Sequence, residues 1–237
     1  MPVPFTRDTI KAFMRQNVVR CPSRPEEQAN IPYVPGEPGV VWACLENQSA
    51  EGYFPRCVLD GHPGGSVYKL EFLSPQDAQG RDDAFKTYWI PYHENSLGTL
   101  TMLGNDAEYM FTARMTGCSL GLGSYAGNGI VGAAHVNAKN AGETNPGNLA
   151  EKMEQQKKVQ RAFLYSHGKN NPSLHLTQSV VSYDMYMMDE TGNIDTSLSS
   201  TTFGVHAINQ PWKLYSLLYR GQGTNVIHAG LKTQVSG

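Results

Sequence analysis

A thiol and an imidazole, Cys118 and His135, stand 17 positions apart on either side of a glycine-rich stretch. A thiolate is a strong nucleophile, but an ordinary cysteine is mostly protonated at neutral pH and needs a base or a cation beside it. Seventeen positions is too far for contact along one strand. If the glycine-rich stretch turns the chain back on itself, antiparallel neighbours would bring sulfur and ring face to face. Nucleophile and base must then approach to about 2.6–3.2 Å, with a third group holding the imidazole in the useful tautomer. Thr112, six residues before the cysteine, is the polar candidate for that third part. Taken by themselves these residues fit a catalytic thiol and also an inert one, because unpaired cysteine is among the most buried residue types.

Other chemistries are weaker. Gly121-x-Gly123-x-x-Ala126 formally satisfies a dinucleotide fingerprint, but that motif works only where a helix opens at the glycines and aims its N–H groups at a pyrophosphate. Gly127, Gly129 and Gly132 follow too closely for such a helix. His62, His93, His167 and His175 lack the convergent three or four ligands of a zinc site, so no metal and no organic cofactor is expected. Cys21, Cys44 and Cys57 have no basic or histidine partner at useful spacing and read as structural thiols, with a disulfide among them left open.

Net charge is −2 and charged residues make up 17% of the 237-residue chain, which gives no electrostatic footprint for nucleic acid or an anionic membrane. Lys152, Lys157, Lys158 and Arg161 are interleaved with acids and read as a solvated helix face. The start lacks the layout of a Sec signal, no long apolar run occurs, and the cysteines lack the density of a secreted disulfide scaffold. Export by a dedicated machine into another cell's cytosol would leave the same pattern.

The elements that must position the chemistry are mostly strands. A first helix capped by Thr6, with Ile10, Phe13, Met14 and Val18 at helical spacing, is expected to run to about Cys21. Five prolines then make residues 22–39 an irregular connection. VVWACLE, SVYKLEFL and FKTYWIPY read as strands, as do LHLTQSVVSYDMYMM, DTSLSSTTFGVHAI, KLYSLLYR and NVIHAGLKT. The segment DAEYMFTARMTGCSL is expected to be a strand, or a strand leading into a short helix, aimed at Cys118. One long helix is expected after Pro146, capped by Asn148, with Leu149, Met153, Val159 and Phe163 as its apolar stripe and Gly168 as its stop. Helices and strands do not alternate regularly. The expected fold is therefore α+β: one domain over 1–237, a mostly antiparallel sandwich or mixed sheet flanked by a few helices and long Gly/Pro-rich loops.

Thr112, Gly117, Cys118 and a histidine beyond a glycine-containing loop together resemble the glutamine deamidase toxins of the cytotoxic-necrotizing-factor and Burkholderia lethal factor type. Trp89-x-Pro91, the LGTL at 97–100, Met110-Phe111-Thr112 and the downstream VQRAFLYSHG extend the resemblance over about residues 85–185. The family's Leu-Ser-Gly-Cys appears here as Met115-Thr116-Gly117-Cys118, and the loop taken from Ser119 to Ala134 is longer and richer in glycine. Chemoreceptor deamidases share the Thr, Cys and His order more distantly.

The resemblance implies a cysteine hydrolase that turns one glutamine of a host protein into glutamate, in the class of Rho-type GTPases or the translation-initiation helicase. Cys118 would be the nucleophile, His135 the base and Thr112 the orienting group. Backbone N–H groups at Gly117 and Cys118 would hold the oxyanion, and Tyr125 and Asn128 would serve as a substrate gate. It further implies a monomeric effector, secreted without a Sec signal and acting in the host cytoplasm, with no nucleic acid or membrane partner. Two alternatives stay open: a cysteine hydrolase or transamidase of another specificity, and a non-catalytic interaction module with a buried structural cysteine.

Overall fold

A computed structural model describes residues 4–48, 56–59, 62–63, 65–93, 100–125, 131–137, 149–169, 174–181, 185, 195–208, 210–221 and 225–236. The chain runs α1 (Ile10–Gln16), β1 (Val18–Arg20), a 3-10 turn (Pro25–Gln28), β2 (Val40–Asn47), β3 (Arg56–Leu59), β4 (His62–Pro63), β5 (Val67–Leu73), α2 (Pro75–Ala78), β6 (Phe85–Ile90), β7 (Thr101–Leu103) and β8 (Tyr109–Thr112). It continues through β9 (Ser119–Tyr125), β10 (Val131–Val136), α3 (Leu149–Lys169), β11 (Leu174–Val181), β12 (Leu198–Val205), β13 (Lys213–Arg220) and β14 (Asn225–Ser236).

The strands form a ten-stranded mixed sheet, ordered β1-β5-β2-β6-β8-β12-β13-β14-β3-β4, and a four-stranded sheet, ordered β11-β9-β10-β7. The small sheet is antiparallel throughout. The large one pairs β1 with β5, β6 with β8 and β14 with β3 in parallel. The α+β expectation holds in this form.

Side-chain alternation sorts the large sheet into two cores, because successive residues of a strand face opposite sides. Val40, Tyr88, Ile90, Met110, Leu214 and Leu218 face the small sheet, whose Leu120, Leu122, Val131 and Ala133 complete that core. The intervening Val41, Trp89, Phe111, Phe203, Tyr215 and Leu217 pack on the other face with Ile10, Phe13 and Met14 of α1. Covered on both faces, β8 and β13 read as almost continuous apolar runs. Beyond β7, the Tyr88 hydroxyl accepts from Gly104 N at 2.9 Å and Asp106 N at 3.2 Å, which ties down the turn leading into β8.

Several expectations need correction. The first helix ends at Gln16, where the Asn17 side chain donates to Phe13 O (2.9 Å) and accepts from Ser66 N (2.8 Å). That pair turns the β-branched Val18 and Val19 into a strand beside β5. Of the two readings for the segment before Cys118, the strand alone is found: β8 ends at Thr112, residues 113–118 are not helical, and Met115 bridges to Ser200. The last helix runs through Gly168 to Lys169, and its Asn148 cap lies outside the described residues.

The stretch taken as a loop from Ser119 to Ala134 is mainly a pair of strands. Its glycines serve close packing: a Cβ on Gly121 would sit 2.3 Å from Gln160 Nε2, and one on Gly132 would sit 3.1 Å from Leu100 Cδ1. β3, β4 and β7 are further strands that sequence patterning did not mark.

The centre of the large sheet is packed equally tightly. A Cβ on Gly204 would meet Met110 Cγ at 2.6 Å and Leu214 Cδ2 at 2.8 Å. Gly204→Ala is therefore expected to destabilise the fold by about 1–3 kcal/mol, read as a lower urea midpoint at unchanged slope.

Candidate functional site

The same two-residue period aims three polar side chains into one place. Thr112 shares its face with Met110, Cys118 with Leu120 and Leu122, and His135 with Val131 and Ala133. All three therefore point into the layer between the sheets, at the end where strand β8 stops, β9 begins and β10 finishes.

β9 and β10 pair antiparallel, with His135 opposite Leu120 and Val136 opposite Ser119. Cys118 immediately precedes Ser119, at the end of this ladder, two residues before the partner of His135. Cysteine and histidine are thus diagonal neighbours on one face, a relation that sets Cα atoms roughly 7–8 Å apart and lets long side chains meet.

The hydrogen bonds decide the histidine's tautomer. The Thr112 hydroxyl donates to Ile90 O at 3.0 Å and lies 2.7 Å from His135 Nδ1. With its single proton committed to the carbonyl, Thr112 Oγ1 accepts from Nδ1–H. This arrangement favours the tautomer with the proton on Nδ1, which leaves the lone pair on Nε2. Among the described residues Nε2 is buried without a hydrogen-bond partner. The expected contact of 2.6–3.2 Å with the thiol is not made in this state. Catalytic hydrogen bonds often lengthen without substrate and tighten when it binds.

The site is interior: Cys118 is 6% exposed, and His135 and Thr112 are fully buried. Burial pushes the Cys118 thiol up to about 12, against a hydrogen bond from the Thr116 backbone. Burial, with the nearby charge of His93 adding to it, pushes His135 down to about 3. Both shifts favour the uncharged form. The resting pair is neutral thiol and neutral imidazole, not an ion pair.

Linkage gives these shifts a measurable consequence. Below 6.5 an unfolded His135 gains a proton that the folded one refuses until about 3, so stability falls as pH drops through that window. Above 9.0 the unfolded Cys118 loses a proton that the folded thiol keeps to about 12, so stability also falls on the alkaline side. Each group contributes a slope of about 1.4 kcal/mol per pH unit within its window. Urea unfolding followed across pH is expected to lose part of its acid slope in His135→Asn.

Gly117 has a φ of 124°, a region that favours glycine, as expected for a tight backbone before Cys118. Its carbonyl accepts from Gln156 Nε2 at 3.1 Å. Because the peptide is planar and trans, the Cys118 N–H is turned the opposite way. Tyr125 ends β9, but its side chain and all of Asn128 lie outside the described residues.

Four residues at the site were missed in sequence. Asn137 Nδ2 donates to Tyr92 Oη at 2.7 Å, and the Tyr92 ring lies 5.3 Å from the His135 ring. Gln156 and Gln160 lie on α3 where an apolar stripe was expected, and both are buried, Gln160 fully. The i, i+4, i+8 spacing of Gln156, Gln160 and Leu164 was available as a signal, but glutamine does not register as a buried residue.

No protein-family model matches the chain, and no curated protein matches it. Among the described residues no group of histidine, cysteine, aspartate and glutamate could hold a metal ion, and no helix is long and apolar enough to cross a membrane.

Proposed function

We propose that this protein is a glutamine deamidase that converts a glutamine of a host protein to glutamate through Cys118, His135 and Thr112. The observation that carries the reading is the Ile90–Thr112–His135 chain of hydrogen bonds, with His135 Nε2 buried and, among the described residues, without a hydrogen-bond partner on the sheet face that also holds the thiol. A nucleophile, a base and a group orienting that base are the parts of a cysteine hydrolase.

The chemistry follows from a neutral pair. His135 Nε2 takes the thiol proton as Sγ bonds to the carboxamide carbon, and the carbonyl electron pair moves to oxygen. The Cys118 N–H is the donor suited to that oxyanion, and one such donor is worth roughly 3 kcal/mol. Collapse breaks the C–N bond, His135 returns the proton to the departing amine, and ammonia leaves. Water, deprotonated by the same Nε2, cleaves the thioester and gives glutamate. The enzyme acts as a bacterial effector in the host cytoplasm, on a partner in the class of Rho-type GTPases or the translation-initiation helicase.

One observation favours a second reading, a non-catalytic interaction module: the thiol is 6% exposed and its ionisation is suppressed. Ammonia release separates the two. Incubated with eukaryotic lysate, the protein is expected to release ammonia above the level of its Cys118→Ser variant. Equal release from both would favour the inert module.

A further inference from the structure

We propose that Gln160, helped by Gln156, is a positioning residue for the Cys118–His135 pair, a clamp by which α3 sets the relation of nucleophile to base. The inference rests on the cysteine–histidine reading above. Gln160 is a fully buried carboxamide with both ends engaged next to the reacting residues. Its Oε1 accepts from Ser119 Oγ at 2.8 Å, and its Nε2 donates to Ala134 O at 3.2 Å. Ser119 follows the nucleophile and Ala134 precedes the base, so one planar amide spans β9 and β10 at the rung beside the site. Gln156, one helical turn earlier, holds Gly117 O and with it the peptide that carries the Cys118 N–H.

Plain core packing does not call for this arrangement. Burying an amide is costly unless its hydrogen bonds are made, and an apolar residue would fill the same volume without that demand. The strand also makes room for the amide: a Cβ at Gly121 would fall 2.3 Å from Nε2, 2.7 Å from Cδ and 2.8 Å from Cγ of Gln160. Glycine at 121, a poor strand residue, is the seat of the carboxamide. Cys118 and His135 are diagonal neighbours, for which small changes in strand separation or twist alter the approach of sulfur to Nε2. A misplacement of about 1 Å can cost a catalytic group about 10²-fold.

The test uses iodoacetamide on the purified full chain, with modification of Cys118 timed by peptide mass spectrometry and thermal unfolding of every variant recorded. His135→Ala is expected to slow Cys118 alkylation at least about tenfold through loss of the base. Gln160→Met and Gly121→Ala are expected to approach that slow rate while still unfolding cooperatively, the second by displacing the amide without changing it. Ser119→Ala combined with Gln160→Met removes both partners of one bond and is expected to recover thermal stability but not the rate.

Wild-type or faster alkylation in Gln160→Met, with His135→Ala slow, would overturn the clamp alone. Recovery of rate together with stability in the double variant would do the same, leaving Gln160 a packing residue. An unchanged rate in His135→Ala would overturn both the clamp and the cysteine–histidine reading on which it rests.

Discussion

Cys118→Ser is expected to reduce glutamine deamidation by more than roughly 10³-fold, with substrate binding retained. A serine hydroxyl is far harder to deprotonate than a thiol and a weaker nucleophile once deprotonated, so a base adequate for sulfur fails with oxygen. Loss of a nucleophile from a cooperating set generally removes most of the rate advantage, because the remaining members have nothing to act on. The substitution nearly conserves volume, but it puts a stronger hydrogen-bonding group where a thiol now sits in the core cluster between the sheets. A destabilisation of about 1–3 kcal/mol is expected if that hydroxyl finds no partner. Urea unfolding of the variant separates this effect from the chemistry: a folded Cys118→Ser protein without activity assigns the loss to sulfur.

Thr112→Val is expected to lower kcat by about 10²-fold or more with little change in KM. Valine matches threonine in shape but cannot accept from His135 Nδ1–H, which at present has Thr112 Oγ1 at 2.7 Å. The imidazole is then free to shift its proton to Nε2, the nitrogen needed as base, or to rotate away from the thiol. Leaving a buried N–H without an acceptor costs about 1–3 kcal/mol of stability as well. Thr112→Ser keeps the hydroxyl that bridges Ile90 O and His135, and is expected to restore most of kcat. Restored stability without restored kcat in Thr112→Ser would count against the orienting role.

Most strands of the large sheet, β2, β5, β6, β8, β12, β13 and β14, were legible as short runs rich in β-branched or aromatic residues between turn residues, whereas β1, β3 and β4 were not. The cysteine, histidine and threonine were legible by type and spacing. The platform that carries two of them was not. β9 and β10 are interrupted by Gly121, Gly123 and Gly132, and glycine on its own reads as loop. The reason for Gly121 lies 39 residues away, in Gln160 of α3, and local patterning cannot register it.

For the same reason α3 was assigned an apolar stripe through Leu149, Met153, Val159 and Phe163, whereas among its described side chains Gln156, Gln160 and Leu164 are the buried ones. The early end of the first helix depends on Asn17 reaching Ser66, again a long-range contact. One signal was available locally and passed over: His135 keeps step with Val131 and Ala133, as Cys118 does with Leu120 and Leu122. Read at a period of two, that places both polar residues on core-facing sides.

The proposed activity is hydrolysis of a glutamine carboxamide by the sulfur of Cys118, driven by His135. Peptide mapping of eukaryotic lysate proteins after incubation with wild-type, Cys118→Ser and His135→Ala protein tests it most directly. Conversion of a particular glutamine to glutamate is expected with the wild-type chain and absent with both variants. A lysate in which no glutamine changes in a Cys118-dependent way, or in which the changed glutamine is joined to an amine instead of hydrolysed, would contradict the account.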